Sequence, residues 1–419
     1  MPVHRPLRVM TVASRFVLAF QIRDFRHLLL SDSATLSAEH MEFLVLAWFI
    51  LQETESPFLL GLYGALRYMG TLFSPFYGIL VDKYDRTRLL QILRATLTGF
   101  ALLFLLLVPT GILNVWHVFI LVGVAGMARA FDSVARQTLT PDVVPRAWIS
   151  NAVALTITGR NMTQILGPIV GGLLLTQFGM SWSYIAIVGL YSIGTITATR
   201  LKARLEVRAR PDTASIVTDM RQAMAYVRKE EVVLGLLVLA FLVNLTGLPL
   251  NYGLLPIYAK EVLDVGATKL GQLLGAYSAG ATLGSIAVVF LPPMRRLGLI
   301  VVVANIGWHM AILSLASIVS FVPALGFLAL AGLAQSFTMV WMSTLLLSIP
   351  GPGIRGRVMG LRSLAVYGLP LGLLASGAMA DMLGASATFA ILGTVGIVLG
   401  VALPLWTKRL WHYSRELGQ

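Results

Sequence analysis

Apolar residues in this chain gather into long runs separated by short polar breaks, a pattern on the scale of whole helices rather than of alternate residues. Twelve runs lie near 28–51, 58–81, 89–108, 114–139, 150–176, 182–200, 233–258, 268–291, 299–318, 321–349, 357–379 and 385–406. A helix needs roughly 20 apolar residues to cross hydrocarbon, so the pattern predicts twelve transmembrane helices. The breaks carry turn chemistry, as in Pro109-Thr110-Gly111, Pro292-Pro293 and Pro350-Gly351-Pro352-Gly353.

The longest break, residues 201–232, falls near the middle and is charged, with one amphipathic stretch, Ile216–Arg228. It predicts a cytoplasmic linker between two six-helix bundles, 28–200 and 233–406, with a basic segment at 1–27 and a tail at 407–419. A faint duplication agrees: a basic loop followed by a Gly/Pro-rich helix occurs in Pro141–Gly179 and again in Ile354–Gly384. Parallel halves of this kind are one known membrane plan.

Composition narrows the class. With 57% hydrophobic and 12% charged residues and a mean hydropathy of +0.80 over 419 residues, the chain has more apolar surface than a soluble core could bury. The net charge of +13 does not form a nucleic-acid patch. Of 32 Lys and Arg, 27 fall in or beside alternate breaks and at both ends, with Arg94 and Arg136 counted to the adjacent break, 2 (Lys260 and Lys269) fall in the opposite breaks, and Arg67, Arg129 and Arg160 lie deep inside runs. That asymmetry predicts a multi-pass protein of the cell (inner or plasma) membrane with both termini cytoplasmic. The start of the chain reads as an amphipathic surface segment rather than a signal peptide. With no cysteine there is no disulfide, cysteine–zinc site or thiol nucleophile. No zinc-protease, serine-hydrolase or phosphate-loop pattern is present, so neither an enzyme nor a bound metal or cofactor is expected.

Two motifs carry a family resemblance. Gly78-Ile-Leu-Val-Asp82-Lys83-Tyr84-Asp85-Arg86-Thr87-Arg88 resembles the signature loop of the major facilitator superfamily, with Asp85 where the family usually has Gly. Gly78 would permit close helix approach. Asp82 would cap a facing helix, the eleventh, and Arg86 would pair with a carboxylate on a neighbour, by resemblance Asp132. Gly167-Pro168-Ile169-Val170-Gly171-Gly172 resembles the core of that superfamily's antiporter motif, associated with exporters. Gly and Pro there would make a thin helix surface; the preceding glycine of the pattern is Thr163 here. Further stretches, among them Pro141-Asp142-Val143-Val144-Pro145-Arg146 and Arg355-Gly356-Arg357-Val358, resemble the bacterial multidrug, macrolide and siderophore (enterobactin-exporter-like) efflux branch.

Charge inside hydrocarbon costs roughly 2.5–3.5 kcal/mol per residue and marks function by default. The intramembrane acids are Asp32, Glu39, Glu42 and Asp132, all in the N-terminal half. Glu39, mid-span, is the first candidate for proton coupling, with Glu42 and Asp132 behind it. The alternative is that the acids merely pair with Arg67 or Arg160. Asp32 reads as a helix-start cap. Arg129, Asp132 and Arg136 are spaced i, i+3, i+7 and read as a local ion-pair ladder, and His309 reads as a packing residue. Asn244, Asn251, Tyr252, Gln335 and Trp341 are substrate-cavity candidates, each with helix packing as the alternative.

The expectation is therefore a monomeric twelve-helix transporter in a lipid bilayer, exporting a small amphiphilic molecule in exchange for protons by alternating access. Uptake or lysophospholipid flipping on the same fold, and a non-transporting receptor or scaffold, are the rivals.

Overall fold

The computed structural model describes residues 18–140, 142–145, 148–201, 216–291 and 296–407. The described residues are helical throughout and contain no strand. In chain order the helices are α1 (Arg23–Thr54), α2 (Pro57–Met69), α3 (Ser74–Lys83), α4 (Arg86–Leu107), α5 (Val115–Leu139), α6 (Ile149–Thr199), α7 (Ile216–Lys229), α8 (Glu231–Thr246), α9 (Leu255–Glu261), α10 (Ala267–Phe290), α11 (Leu297–Leu315), α12 (Phe321–Ser348), α13 (Pro352–Ala365), α14 (Gly368–Leu383) and α15 (Ala385–Trp406). A π-helical turn, Leu250–Leu254, links α8 to α9.

Among the described residues, ten segments are long and apolar enough to cross a membrane. One of them, Asn151–Thr199, is 49 residues long, far more than one crossing needs. Gly179 interrupts it with φ 79 and ψ −178, a conformation that glycine reaches without Cβ strain. Short polar residues set other boundaries. Ser56 caps α2 by accepting from the Leu59 amide, with Pro57 in the first turn. Asp85, the departure from the signature loop, caps α4 by accepting from the Thr87 and Arg88 amides. Asn114 and His117 form a reciprocal capping box at α5. The amphipathic stretch of the linker forms α7, and its Gln222 accepts from Arg357 of α13. The expected terminal segments lie largely, and residues 202–215 of the expected linker wholly, outside the described residues.

The outer surface is inverted relative to a soluble protein. Phe290 and Met382 are each 82% exposed, while Asp32 is 3% and Arg94 1% exposed. Bilayer contact supplies the apolar surroundings for the former.

Helices approach each other where side chains vanish. At the crossing of α10 and α12, a Cβ on Gly280 would overlap the Ala329 carbonyl, and one on Gly332 would overlap that of Tyr277. Gly78 is different: nothing lies within 4 Å of where its Cβ would be, so the close approach expected there is absent. Gly280→Val is accordingly expected to cut the yield of monodisperse protein severalfold, and Gly78→Val to leave it unchanged. Size-exclusion profiles of the two variants check this, and equal yields would refute the packing argument.

Candidate functional site

A cavity of about 210 Å³ lies among α1, α2, α5, α6, α10 and the π-helical turn. Helix α1 contributes Glu39, His40 and Phe43; α2 contributes Arg67 and Tyr68; α5 contributes Arg129, Asp132, Ser133 and Arg136. Gln164 and Pro168 come from α6, and Asn251, Tyr252, Leu274 and Ser278 complete the opposite wall. Tyr68 meets Tyr252 edge-on across the cavity at 5.1 Å between ring centroids.

The charges beneath this lining form two clusters. In one, Arg94 of α4 binds Asp32 of α1 and Asp132 of α5, the latter at 3.2 Å, and also donates to Ser31. In the other, Arg129 pairs with Glu42, whose carboxylate also accepts from the Tyr191 hydroxyl at 3.1 Å. Each cluster ties α1 to α5, and Glu42, Arg94 and Asp132 are 1–2% exposed. Arg67 donates to the Glu39 carbonyl at 2.9 Å and stacks on Phe43, its guanidinium 5.5 Å from the ring centroid. The Glu39 carboxylate has no hydrogen-bond or ion-pair partner among the described residues.

Several expectations change. Asp32 is no helix-start cap; α1 begins nine residues earlier, at Arg23. Arg129 and Asp132 pair with other helices rather than in a ladder along α5. Arg86 pairs at 2.5 Å with Asp142, not Asp132, because Arg94 already occupies Asp132. The Asp82 side chain lies outside the described residues, and Lys83 and Arg88 are exposed. Arg94 and Arg136, assigned by pattern to a cytoplasmic break, are buried in helices. Arg160, expected to serve as a counter-ion, neither lines the cavity nor makes an ion pair among the described residues.

Of the cavity candidates, Asn251 and Tyr252 line it, whereas Asn244, Gln335 and Trp341 do not. Asn244 donates to the Ala240 carbonyl of its own helix. His309 is engaged on both ring nitrogens, by Thr246 and the Asn305 carbonyl, each at 2.9 Å. His40 and Gln164 were missed. His40 adjoins Glu39 in sequence, and Gln164 lies one turn before Pro168, which could have marked them.

Helix α6 is thin where the antiporter-like motif runs. A Cβ on Gly167 would come within 2.8 Å of His40 Cβ, and one on Gly171 within 3.0 Å of Met41 Cα, both in α1. Gly172 instead faces Ala267 at the start of α10, and Pro168 faces Gly271. Further contacts tie α9 and α14 to the turn between α1 and α2. Lys260 donates to the Leu51 carbonyl at 2.6 Å, and Asp381 accepts from the Ser56 hydroxyl at 3.1 Å and the Phe58 amide at 3.4 Å. Both pairs match the helix dipole, a cation at the end of α1 and an anion at the start of α2.

The sequence profile of the Major Facilitator Superfamily matches residues 38–370. The chain belongs to that superfamily. Like the superfamily's other members it is a multi-pass membrane transporter, with the major facilitator fold. The transporter is 22% identical over 375 residues to macrolide efflux protein A of Streptococcus pyogenes, covering 86% of this chain and 90% of that one. It is 25% identical over 354 residues to enterobactin exporter EntS of Salmonella typhi, covering 81% of each. Among solved structures, nucleoside transporter NupG superposes with a TM-score of 0.73 at 14% identity, over 92% of this chain and 99% of that one.

Proposed function

We propose that this transporter exports a small amphiphilic molecule from the cytoplasm in exchange for protons, with Glu39 carrying the proton. The observation that supports the reading best is the Glu39 carboxylate: it lines the cavity without a partner among the described residues, while its neighbours Glu42 and Asp132 are committed to arginines. A group so placed changes its proton affinity as substrate or water replaces its surroundings. Glu42 and Asp132 act as structural anchors in this reading, and Arg67 and Arg129 as counter-ions.

Two six-helix bundles, 28–200 and 233–406, rock about the cavity. Pro57–Lys83 forms the second crossing, and Gly179 divides α6 into the fifth and sixth, giving twelve. With both termini cytoplasmic in the inner membrane, the end tied by Lys260 and Asp381 is external, and the cavity communicates with the cytoplasm. The efflux and exporter names of the relatives agree with this direction.

The test is flux in proteoliposomes carrying an imposed pH gradient and a panel of amphiphiles. Accumulation that collapses with the gradient is expected; transport indifferent to it would end the antiport reading. Orientation has its own check, made easy by the lack of native cysteine. Thr110→Cys should react with an impermeant thiol reagent in intact cells, and Lys229→Cys only after permeabilisation. The reverse pattern would invert the proposed direction.

A further inference from the structure

The cavity holds unmet polar groups of both signs. Arg136 is 7% exposed, its side chain makes no hydrogen bond or ion pair with any described residue, and its Nε is buried without a partner. Arg67 Nη1 and Arg129 Nε and Nη1 are likewise buried and unmet, in side chains 7% and 9% exposed. All three line the cavity, as does the unpartnered carboxylate of Glu39. Buried donors without acceptors cost free energy that a bound acceptor recovers, and a guanidinium fork suits a carboxylate in particular.

The unmet groups decide what kind of guest fits. Four carboxylates, those of Asp32, Glu39, Glu42 and Asp132, share this region with the guanidiniums of Arg67, Arg94, Arg129 and Arg136, and Arg160 acts on Asp32 and Glu39 from nearby. Asp32, Glu42 and Asp132 hold Arg94 and Arg129, which leaves Glu39 on one side and Arg67 and Arg136 on the other without an ion pair among the described residues. A guest with a single charge would meet one of these and leave the other without a counter-charge in a medium that penalises unpaired charge. A guest with one charge of each sign satisfies both unmet ends. The remaining lining, Phe43, Tyr68, Pro168, Tyr252 and Leu274, offers aromatic and apolar surface to its body.

We propose that the cavity binds zwitterionic amphiphiles, with the ammonium group at Glu39 and the carboxylate at Arg136, assisted by Arg67. The assignment rests on this cavity being the transport site, and it gives exchange the right sign. An ammonium at Glu39 takes the place of a proton, so substrate and proton compete, as antiport requires. A guest carrying only an anion would favour protonation of Glu39 and bind together with the proton.

Four probes of nearly one size separate the two ends: naphthylalanine (both charges), naphthylalaninamide (ammonium only), N-acetylnaphthylalanine (carboxylate only) and N-acetylnaphthylalaninamide (neither). Binding to the purified full-length transporter in nanodiscs, by calorimetry, is expected to be at least tenfold tighter for naphthylalanine than for either singly charged probe. Arg136→Gln should abolish the preference for a free carboxylate yet keep the preference for a free ammonium. Glu39→Gln should do the opposite. Arg136→Lys, which keeps the charge but not the fork, should retain part of the carboxylate preference and guards against misfolding of the glutamine variant. Equal binding of all four probes, binding of none up to millimolar concentration, or an equal loss for every probe in Arg136→Gln would overturn the assignment. The antiport reading is judged separately by the proteoliposome flux: wild-type protein that pumps the amide against a pH gradient but shows no zwitterion preference refutes the zwitterion site alone.

Discussion

Glu39→Gln is expected to abolish uphill accumulation, lowering pH-gradient-driven substrate uptake into inverted vesicles by at least twentyfold. Glutamine keeps the shape and hydrogen-bonding capacity of the side chain but cannot titrate. The conformational cycle should survive, so exchange of labelled for unlabelled substrate at saturating concentration continues without a gradient. That split between lost coupling and retained exchange separates a proton carrier from a packing residue, whose removal would impair both. Glu42→Gln should behave differently. Its carboxylate holds Arg129 and accepts from Tyr191 at 3.1 Å, so its removal weakens the fold while leaving coupling in whatever protein remains. Undiminished accumulation by Glu39→Gln would move the coupling site elsewhere.

The largest loss of stability is expected from Arg94→Met. Arg94 is 1% exposed and holds Asp32 and Asp132 together. Its removal leaves two carboxylates buried side by side without the cation that bridges them, and breaking a buried pair costs about 3–5 kcal/mol. The thermal midpoint in detergent should fall by many degrees, with most of the protein lost on extraction. Adding Asp32→Asn and Asp132→Asn to the same chain should restore much of the loss, because the amides no longer need the guanidinium. A triple variant no better than the single one would place the role of Arg94 outside this cluster.

Most of the architecture was legible in the sequence because the signal was long. Runs of about 20 apolar residues survive errors of several positions, and the breaks at Pro109–Gly111 and near Gly179 coincide with the observed chain reversals and helix interruption. The charged interior was less legible. Arg94 and Arg136 lie within helices near the ends of their apolar runs, where a count of positive charge by side absorbs them into the adjacent break. Spacing held a clue for Arg136, which shares a helix face with Arg129 seven residues earlier. Nothing local to Arg94 says that Asp32 and Asp132, each on a different helix, will converge on it. Arg86 is the converse case: resemblance named the right kind of partner, a carboxylate, but the nearby turn supplied it through Asp142.

The two walls of the cavity differ in how readily they can be altered. Every buried charged side chain among the described residues precedes residue 140, and the opposite wall, Asn251, Tyr252, Leu274 and Ser278, is uncharged. Exchanging a neutral lining residue strands no ion, so it typically costs about 1 kcal/mol, whereas a change among the paired acids and arginines costs several times more. Selection for a new compound therefore has an open route through α10 and the π-helical turn. Variants that broaden or shift the range of transported molecules should accumulate on that wall, one at a time, while the charged wall stays fixed and the transport cycle continues unaltered.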